Sequence, residues 1–184
     1  MNREESFELL KDNLKNNNLI KHSLAVEAGM KKLANHFNKN QELWSICGLL
    51  HDIDYEKIGD NLELHSKEGA KMLRDLMFDD DLCDAVLTHN EAHGIAPKSI
   101  MAKALFSVDP LTGLIVASTL VLPSKKINDL KVESVLKKLK VKSFAKGVSR
   151  ENILKCKEYL GLSLEEFVKI VLVAMQGISD ELGL

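Results

Sequence analysis

Six residues of this chain have the types and placement to do chemistry together: His22, His51, Asp52, His65, His89 and Asp109. His51 and Asp52 are adjacent and close an apolar run in which Leu43, Trp44, Ile46, Cys47 and Leu50 repeat at helical spacing, so that helix is mostly buried. A buried helix that finishes on an imidazole and a carboxylate needs compensation, because an unpaired buried charge costs several kcal/mol. Either Asp52 pairs with a nearby base, or His51 and Asp52 both hold a cation. His22 lies one turn before Val26 on the stripe Val26, Met30, Leu33 and Phe37, and His65, His89 and Asp109 fall at or near helix ends. Four imidazoles and two carboxylates are the right inventory for two first-row divalent ions held by nitrogen and oxygen. Asp52 can bridge such ions, whereas His51 beside it binds only one. Each residue also has a plainer reading. His22 alone is more often a hydrogen-bonded core histidine, His65 alone a loop residue, and Asp109, immediately before Pro110, a helix cap.

Helices must bring these positions together, and helical bundles build their metal sites between facing helices. Asn2 with Glu5 has the pattern of a capping box and opens a helix to about residue 14. Asn16-Asn17-Asn18 reads as a turn, 19–37 as a helix, and 38–40 as a break, with Asn40 capping the helix that ends at His51. Gly59-Asp60-Asn61 reads as a loop, followed by a helix to about residue 78 with Ser66 as its candidate cap. Asp79-Asp80-Asp81 breaks that helix and places negative charge at the start of another, over 82–91, which delivers His89. Residues 94–97 form a loop and 98–109 a helix, and Pro110 either starts a new helix or kinks a continuous one to about residue 121. Beyond Pro123 come a short basic helix over 132–139, a helix capped by Ser149 and stopped by Gly161, and a last helix opened by Ser163 with Glu166. Few alternating runs occur, so the fold class is all-α. The expected organisation is a helical core over 1–122 with a C-terminal helical extension, 123–184, packed on it.

A length of 184 residues suits one domain with such an extension. The first twenty residues are polar and no continuous apolar run reaches 18 residues, so neither a signal peptide nor a membrane span is expected. Cys47, Cys83 and Cys156 are widely spaced among apolar neighbours, which reads as reduced core thiols in the cytoplasm. The net charge of −2 conceals an asymmetry: 1–124 carries 13 basic and 19 acidic residues, 125–157 carries 11 basic and 3 acidic. The basic stretch is either a solvated lysine face or a patch for a small anion. No nucleic-acid recognition motif accompanies it.

His22, then His51-Asp52, then Asp109 resembles the H…HD…D signature of the HD-domain metal-dependent phosphohydrolases, over roughly residues 18–122. His51-Asp52-Ile53 also looks like the start of the HDIG subgroup motif, with Asp54 where that motif has glycine. His65 and His89 match the two additional histidines of the dinuclear members, and Ser66-Lys67-Glu68-Gly69-Ala70 matches the helix that follows the first of them in that branch.

The resemblance implies a helical bundle with one or two divalent ions (Fe, Mn, Co, Ni or Zn, with Mg also compatible) on His22, His51, Asp52, His65, His89 and Asp109. It implies hydrolysis of a phosphate ester or anhydride, of a nucleotide first of all, by a metal-activated water that attacks phosphorus without a protein nucleophile. Asp52 and His51 are the central catalytic candidates. Asp54, Glu56, Lys57, Asn90 and His93 sit beside ligands in sequence and are candidates for supporting or substrate contacts, with a solvated loop or surface histidine as the alternative. Arg150, just after Ser149 at a helix start, is a candidate for binding a terminal phosphate. The expected partner is a small anionic substrate, a nucleotide or other phosphate compound, in the cytoplasm, with no nucleic acid and no membrane. Two other readings share the pocket: a di-iron oxygenase of the HD fold, and a nucleotide-binding sensor without turnover.

Overall fold

The computed structural model describes residues 1–59 and 61–184. Asp60, in the middle of the loop expected at 59–61, lies outside the described residues. The chain is 68% helical and has no strand among the described residues, as the patterning requires of an all-α fold. The longer helices are α1 (Arg3–Asn13), α2 (Asn17–His36), α3 (Gln41–Leu50), α5 (Lys67–Asp75), α6 (Asp80–Thr88), α7 (Ile100–Leu120), α8 (Val132–Leu139) and α11 (Leu164–Gln176). Short helices fill the connections: α4 (Tyr55–Ile58), α9 (Arg150–Leu154), α10 (Cys156–Leu160) and α12 (Ser179–Leu182).

Helix α2 is the spine, packed against α3, α7 and α11. Its neighbours come close because two glycines leave room. A Cβ on Gly48 of α3 would stand 2.9 Å from the backbone of Glu27, and one on Gly29 of α2 would stand 2.9 Å from Val108 of α7. Val26, Met30 and Leu33 of the expected stripe are fully buried. Phe167, Val168 and Val171 of α11 belong to the same apolar cluster as Leu24, Met30 and Val108, so α11 shares the core that holds the site.

Helix starts follow local chemistry where the side chain can reach its own first turn. Asn2 and Glu5 form the reciprocal capping box, Asn40 accepts the Leu43 N–H, Asp79 accepts the Asp81 and Leu82 N–H groups, and Ser163 accepts the Glu166 N–H. Ser66 departs from this pattern. It sits at φ 69° and makes no capping bond, its hydroxyl donating instead to the Leu87 carbonyl. The N–H of Gly69, in the first turn, is taken by the carboxylate of Asp54, at 2.7 Å, so the cap comes from a residue distant in sequence.

Other departures are small and have physical causes. Asn16 caps α2 directly through the Asn18 N–H, which turns the expected turn into the helix start. Helix α6 stops at Thr88 with His89 as its cap. The helix expected from 149 starts without a capping bond from Ser149, whose hydroxyl donates to Glu91 instead, and it divides at Lys155, whose N–H reaches the carbonyls of both Glu151 and Asn152. Pro110 lies inside the continuous helix α7. That helix is also long and apolar enough, by length and composition, to cross a membrane. Its hydropathy has a nearer cause here, because 61% of its most apolar window is buried inside the bundle. Cys47, Cys83 and Cys156 are free and buried, and burial pushes the Cys83 thiol up to about 11.

Candidate metal centre

The six histidine and aspartate positions converge. His22 comes from the first half of α2, His51 and Asp52 from the end of α3, His65 from the turn before α5, His89 from the end of α6 and Asp109 from the middle of α7. Asp52 is at the centre. Its Oδ1 lies 3.3 Å from His51 Nε2, 3.3 Å from His65 Nε2 and 3.4 Å from His89 Nε2. Its Oδ2 lies 3.7 Å from His22 Nε2. Asp109 Oδ1 stands 3.0 Å from His22 Nε2 and 3.8 Å from His51 Nε2.

All four imidazoles turn the same nitrogen inward, and each is held by the other. His51 Nδ1–H donates to the Gly48 carbonyl at 2.8 Å and His89 Nδ1–H to the Val86 carbonyl at 2.6 Å. A carbonyl only accepts, so Nδ1 carries a proton in both rings, and in the neutral form of each ring the lone pair is on Nε2. Those carbonyls are among the last of their helices and lack a helical partner, so each ring also finishes its helix. His65 Nδ1–H donates to Asp54 Oδ1 at 2.9 Å. His22 Nδ1 lies 3.4 Å from the Thr112 hydroxyl, which itself donates to the Asp109 carbonyl. An imidazole fixed through Nδ1 in this way presents a basic Nε2 in one direction, the usual support of a metal-binding histidine.

The donor set fits a metal. His51 Nε2 is fully buried and, among the described residues, lies beside Asp52 and Asp109 without the geometry of a hydrogen bond, an arrangement that costs about 1–3 kcal/mol unless something fills it. His22, His51 and Asp109 form one triad of ligand atoms within 4.8 Å of one another, and His51, Asp52 and His89 form a second. These groups can hold a divalent ion through nitrogen and oxygen.

The electrostatics point the same way. Burial works against charge on His51, but Asp52 and Asp109 outweigh it and raise its pKa to about 9. Burial likewise opposes charge on His65, where Asp52 and Asp54 prevail and bring the value to about 10. Burial pushes Asp52 and Asp109 up, yet the imidazoles hold both well below the usual carboxylate range: His51, His65 and His89 for Asp52, His22 and His51 for Asp109. The pocket is therefore a strong acceptor of positive charge, whether protons or a cation.

A cleft of about 340 Å³ opens onto this cluster, lined by His22, His65, His89, Asn90 and Asp109 and closed on one side by Gly147, Val148, Ser149 and Asn152. Of the remaining candidates from sequence, only Asn90 lines it. Asp54 is fully buried behind His65. His93 Nε2–H donates to the His65 carbonyl at 2.6 Å, a bond that Asn90 supplements at 3.3 Å. Lys57 is exposed, 3.8 Å from Glu68. Glu56 accepts the Lys15 and Asn16 N–H groups and ties down the α1–α2 connection.

Arg150 requires a correction. Its guanidinium donates to the carbonyls of Leu139, Val141, Phe144, Ala145 and Val148. Those five bonds use its five N–H groups, leaving none for a phosphate. Nor do lysines of the basic stretch line the cleft, whose C-terminal wall is the uncharged Gly147, Val148, Ser149 and Asn152. Sequence reading missed Thr112 and the carbonyls of Gly48 and Val86. Thr112 follows Asp109 by three residues, one helical turn, which is the signal that would have found it.

Four Nε2 atoms and two carboxylates thus meet at one largely buried cluster among the helices, with groups that could hold a metal ion. The family model described as HD domain matches residues 19–117, more than half of the chain, and the chain belongs to that family. The match runs from the start of α2 through most of α7, the span that supplies all six residues. No curated protein and no solved structure matches the chain.

Proposed function

We propose that this protein is a metal-dependent phosphohydrolase that cleaves a phosphate ester or anhydride of a nucleotide. The observation that carries this reading is the placement of Asp52, whose Oδ1 faces His51, His65 and His89 while its Oδ2 faces His22. One carboxylate set between His22 on one side and His51, His65 and His89 on the other would be suited to being shared by two ions. His22, His51, Asp109 and Asp52 would hold one; Asp52, His65 and His89 the other. Such ions supply a polarised phosphoryl oxygen and a water of lowered pKa. The residues of the chain fix the ligands in the required tautomer and keep the centre mostly buried. Asn90 is the polar side chain at the cleft beside His65, where it can contact substrate oxygens.

The test is phosphate release from a panel of nucleotides by protein loaded separately with Mn, Fe, Co, Ni, Zn or Mg, alongside elemental analysis. The wild type should bind up to two ions and release phosphate. Asp52→Ala should lose both ions and all turnover while keeping its helical content. Full metal content in that variant would reject the shared carboxylate, and absence of phosphate release with every metal would reject the hydrolase.

A further inference from the structure

A second cavity, of about 820 Å³ and mostly apolar, adjoins the metal cleft. Its apolar walls are Leu136 and Leu139 of α8, Leu154 of α9 and Leu164 of α11. Glu91 and Ser149 line both spaces, and a single hydrogen bond joins them, from the Ser149 hydroxyl to the Glu91 carboxylate at 3.3 Å. Helix α9 is the partition. Ser149 and Asn152 face the metal cleft, whereas Arg150, Glu151 and Leu154 face the apolar cavity. The five carbonyls on Arg150 belong to residues 139–148, just before α9, so Arg150 ties the start of that helix to the segment that precedes it.

The size and lining are those of a site for a small organic molecule, which is typically 300–1,000 Å³, largely apolar and provided with a few polar groups. Its charges balance: Glu91, Glu151 and Glu165 stand against Lys140, Lys142 and Arg150. A cavity without net charge gives no net attraction to a second phosphate and suits a neutral apolar group. The metal cleft beside it is less than half as large. The two spaces thus differ in the way the two ends of a phosphorylated aromatic compound differ.

We propose that the cavity between α8, α9 and α11 is the leaving-group subsite of the same active centre, and that it takes a neutral, apolar ring system. This rests on the hydrolase reading above. The phosphoryl group lies over the histidines and the ester bridge crosses beside the Ser149–Glu91 hydrogen bond, where those two residues line both spaces. In the hydrolysis, the water oxygen bonds to phosphorus and the P–O bond to the ring-bearing group breaks. The leaving oxygen ends with a proton that came from the water. Discrimination among phosphate compounds then resides in the C-terminal extension, outside the matched family region.

The test uses the full chain with the metal that gives turnover, and two esters whose leaving groups have similar acidity, phenyl phosphate and 2-naphthyl phosphate. The second ring should raise kcat/KM about tenfold, the scale of discrimination that added apolar contact provides. Leu154 is 54% exposed, so Leu154→Asn should fold, and it should bring the naphthyl-to-phenyl ratio close to one. An independent readout is N-phenyl-1-naphthylamine, a neutral dye that fluoresces in apolar sites, titrated into metal-free protein. The wild type should bind it and Leu154→Asn should bind it at least about tenfold more weakly. Hydrolysis of both esters without preference, a preference that survives Leu154→Asn, or dye binding unaffected by that change would overturn the subsite while leaving the hydrolase intact. Failure of the hydrolase itself is a separate outcome: no phosphate from either ester or from any nucleotide, which removes the leaving-group assignment whatever the dye does.

Discussion

Asp54 Oδ1 accepts the Nδ1–H of His65 at 2.9 Å, and its other oxygen accepts the Gly69 N–H at 2.7 Å. One fully buried carboxylate therefore fixes the tautomer of an inward-facing histidine and caps the helix that follows it. Both jobs require an acceptor, and a carboxylate has one on each side.

Asp54→Asn separates the two jobs. The amide offers one acceptor oxygen and one donor NH₂. If the oxygen keeps Gly69, the NH₂ faces His65 and forces the proton onto Nε2, where it blocks a metal. If the oxygen keeps His65, the NH₂ meets the Gly69 N–H and the cap is lost. Metal titration of Asp54→Asn should show the second ion weakened about 10–100-fold, the usual effect of removing such a support, with the first ion retained. His65→Ala and His89→Ala should each leave about one ion per chain. Unchanged affinity for both ions in Asp54→Asn would show that the carboxylate serves only the helix.

This carboxylate also marks how far the sequence could be read. Caps made within one turn, by Asn2, Asn40, Asp79 and Ser163, follow from local spacing. So does the fold class, because burial periodicity repeats within each helix. His51, Asp52, His65 and His89 were legible because polar groups at the ends of buried helices need a reason to be there, whereas His22 and Asp109, inside α2 and α7, were legible from the order H…HD…D. Contacts between distant segments were not. Ser66 looked like a cap because the acceptor that replaces it, Asp54, is twelve positions upstream. His93 and Lys57 stood near ligands in sequence, but adjacency does not say which side of a turn faces the pocket. His93 braces the His65 backbone and Lys57 points to Glu68 in solvent.

The metal-free protein should have a stability profile set by the cluster. His51 and His65 have folded pKa values raised to about 9 and about 10 from an ordinary 6.5. A raised value means that the folded state holds the proton more tightly, so the stabilisation is complete below about 6.5 and is lost as pH rises through 9 to 10. Asp52 and Asp109 are depressed from 3.8, so their share is present above that value and is lost as pH falls below it. These are the same ion pairs seen from their two partners. The metal-free melting temperature should therefore be highest between about pH 4 and 6.5 and decline toward pH 10. Metal ligation needs neutral imidazole, so protons and metal compete, and the rise in melting temperature on adding metal should grow over the interval in which the metal-free protein weakens. Calorimetry at pH 6, 8 and 10 with and without metal measures both trends. A melting temperature of the metal-free protein that is flat from pH 6 to 10 would contradict the paired charges in the pocket.

Arg150 supplies the last expectation, and it concerns the wall that separates the two cavities. Five carbonyls, that of Leu139 at the end of α8 and four from the segment between α8 and α9, converge on one guanidinium, in a stretch with little regular structure of its own. Without those donors the carbonyls must turn to water, and the segment loses its fixed course. Hydrogen bonds to a charged group contribute more than neutral ones, so Arg150→Ala should destabilise the protein by about 2–3 kcal/mol in urea unfolding. Lysine keeps the charge but has a single nitrogen with three donors and cannot span carbonyls arranged around a planar fork. Arg150→Lys should therefore recover less than half of the loss. None of the six inward-facing residues contacts Arg150 through a hydrogen bond, so metal content should stay at the wild-type level in both variants. Limited proteolysis should meanwhile cut within 139–148. Wild-type stability with wild-type protease resistance in Arg150→Ala would show that the segment holds its course without the guanidinium, and the partition would have to be attributed to Ser149 and Glu91 alone.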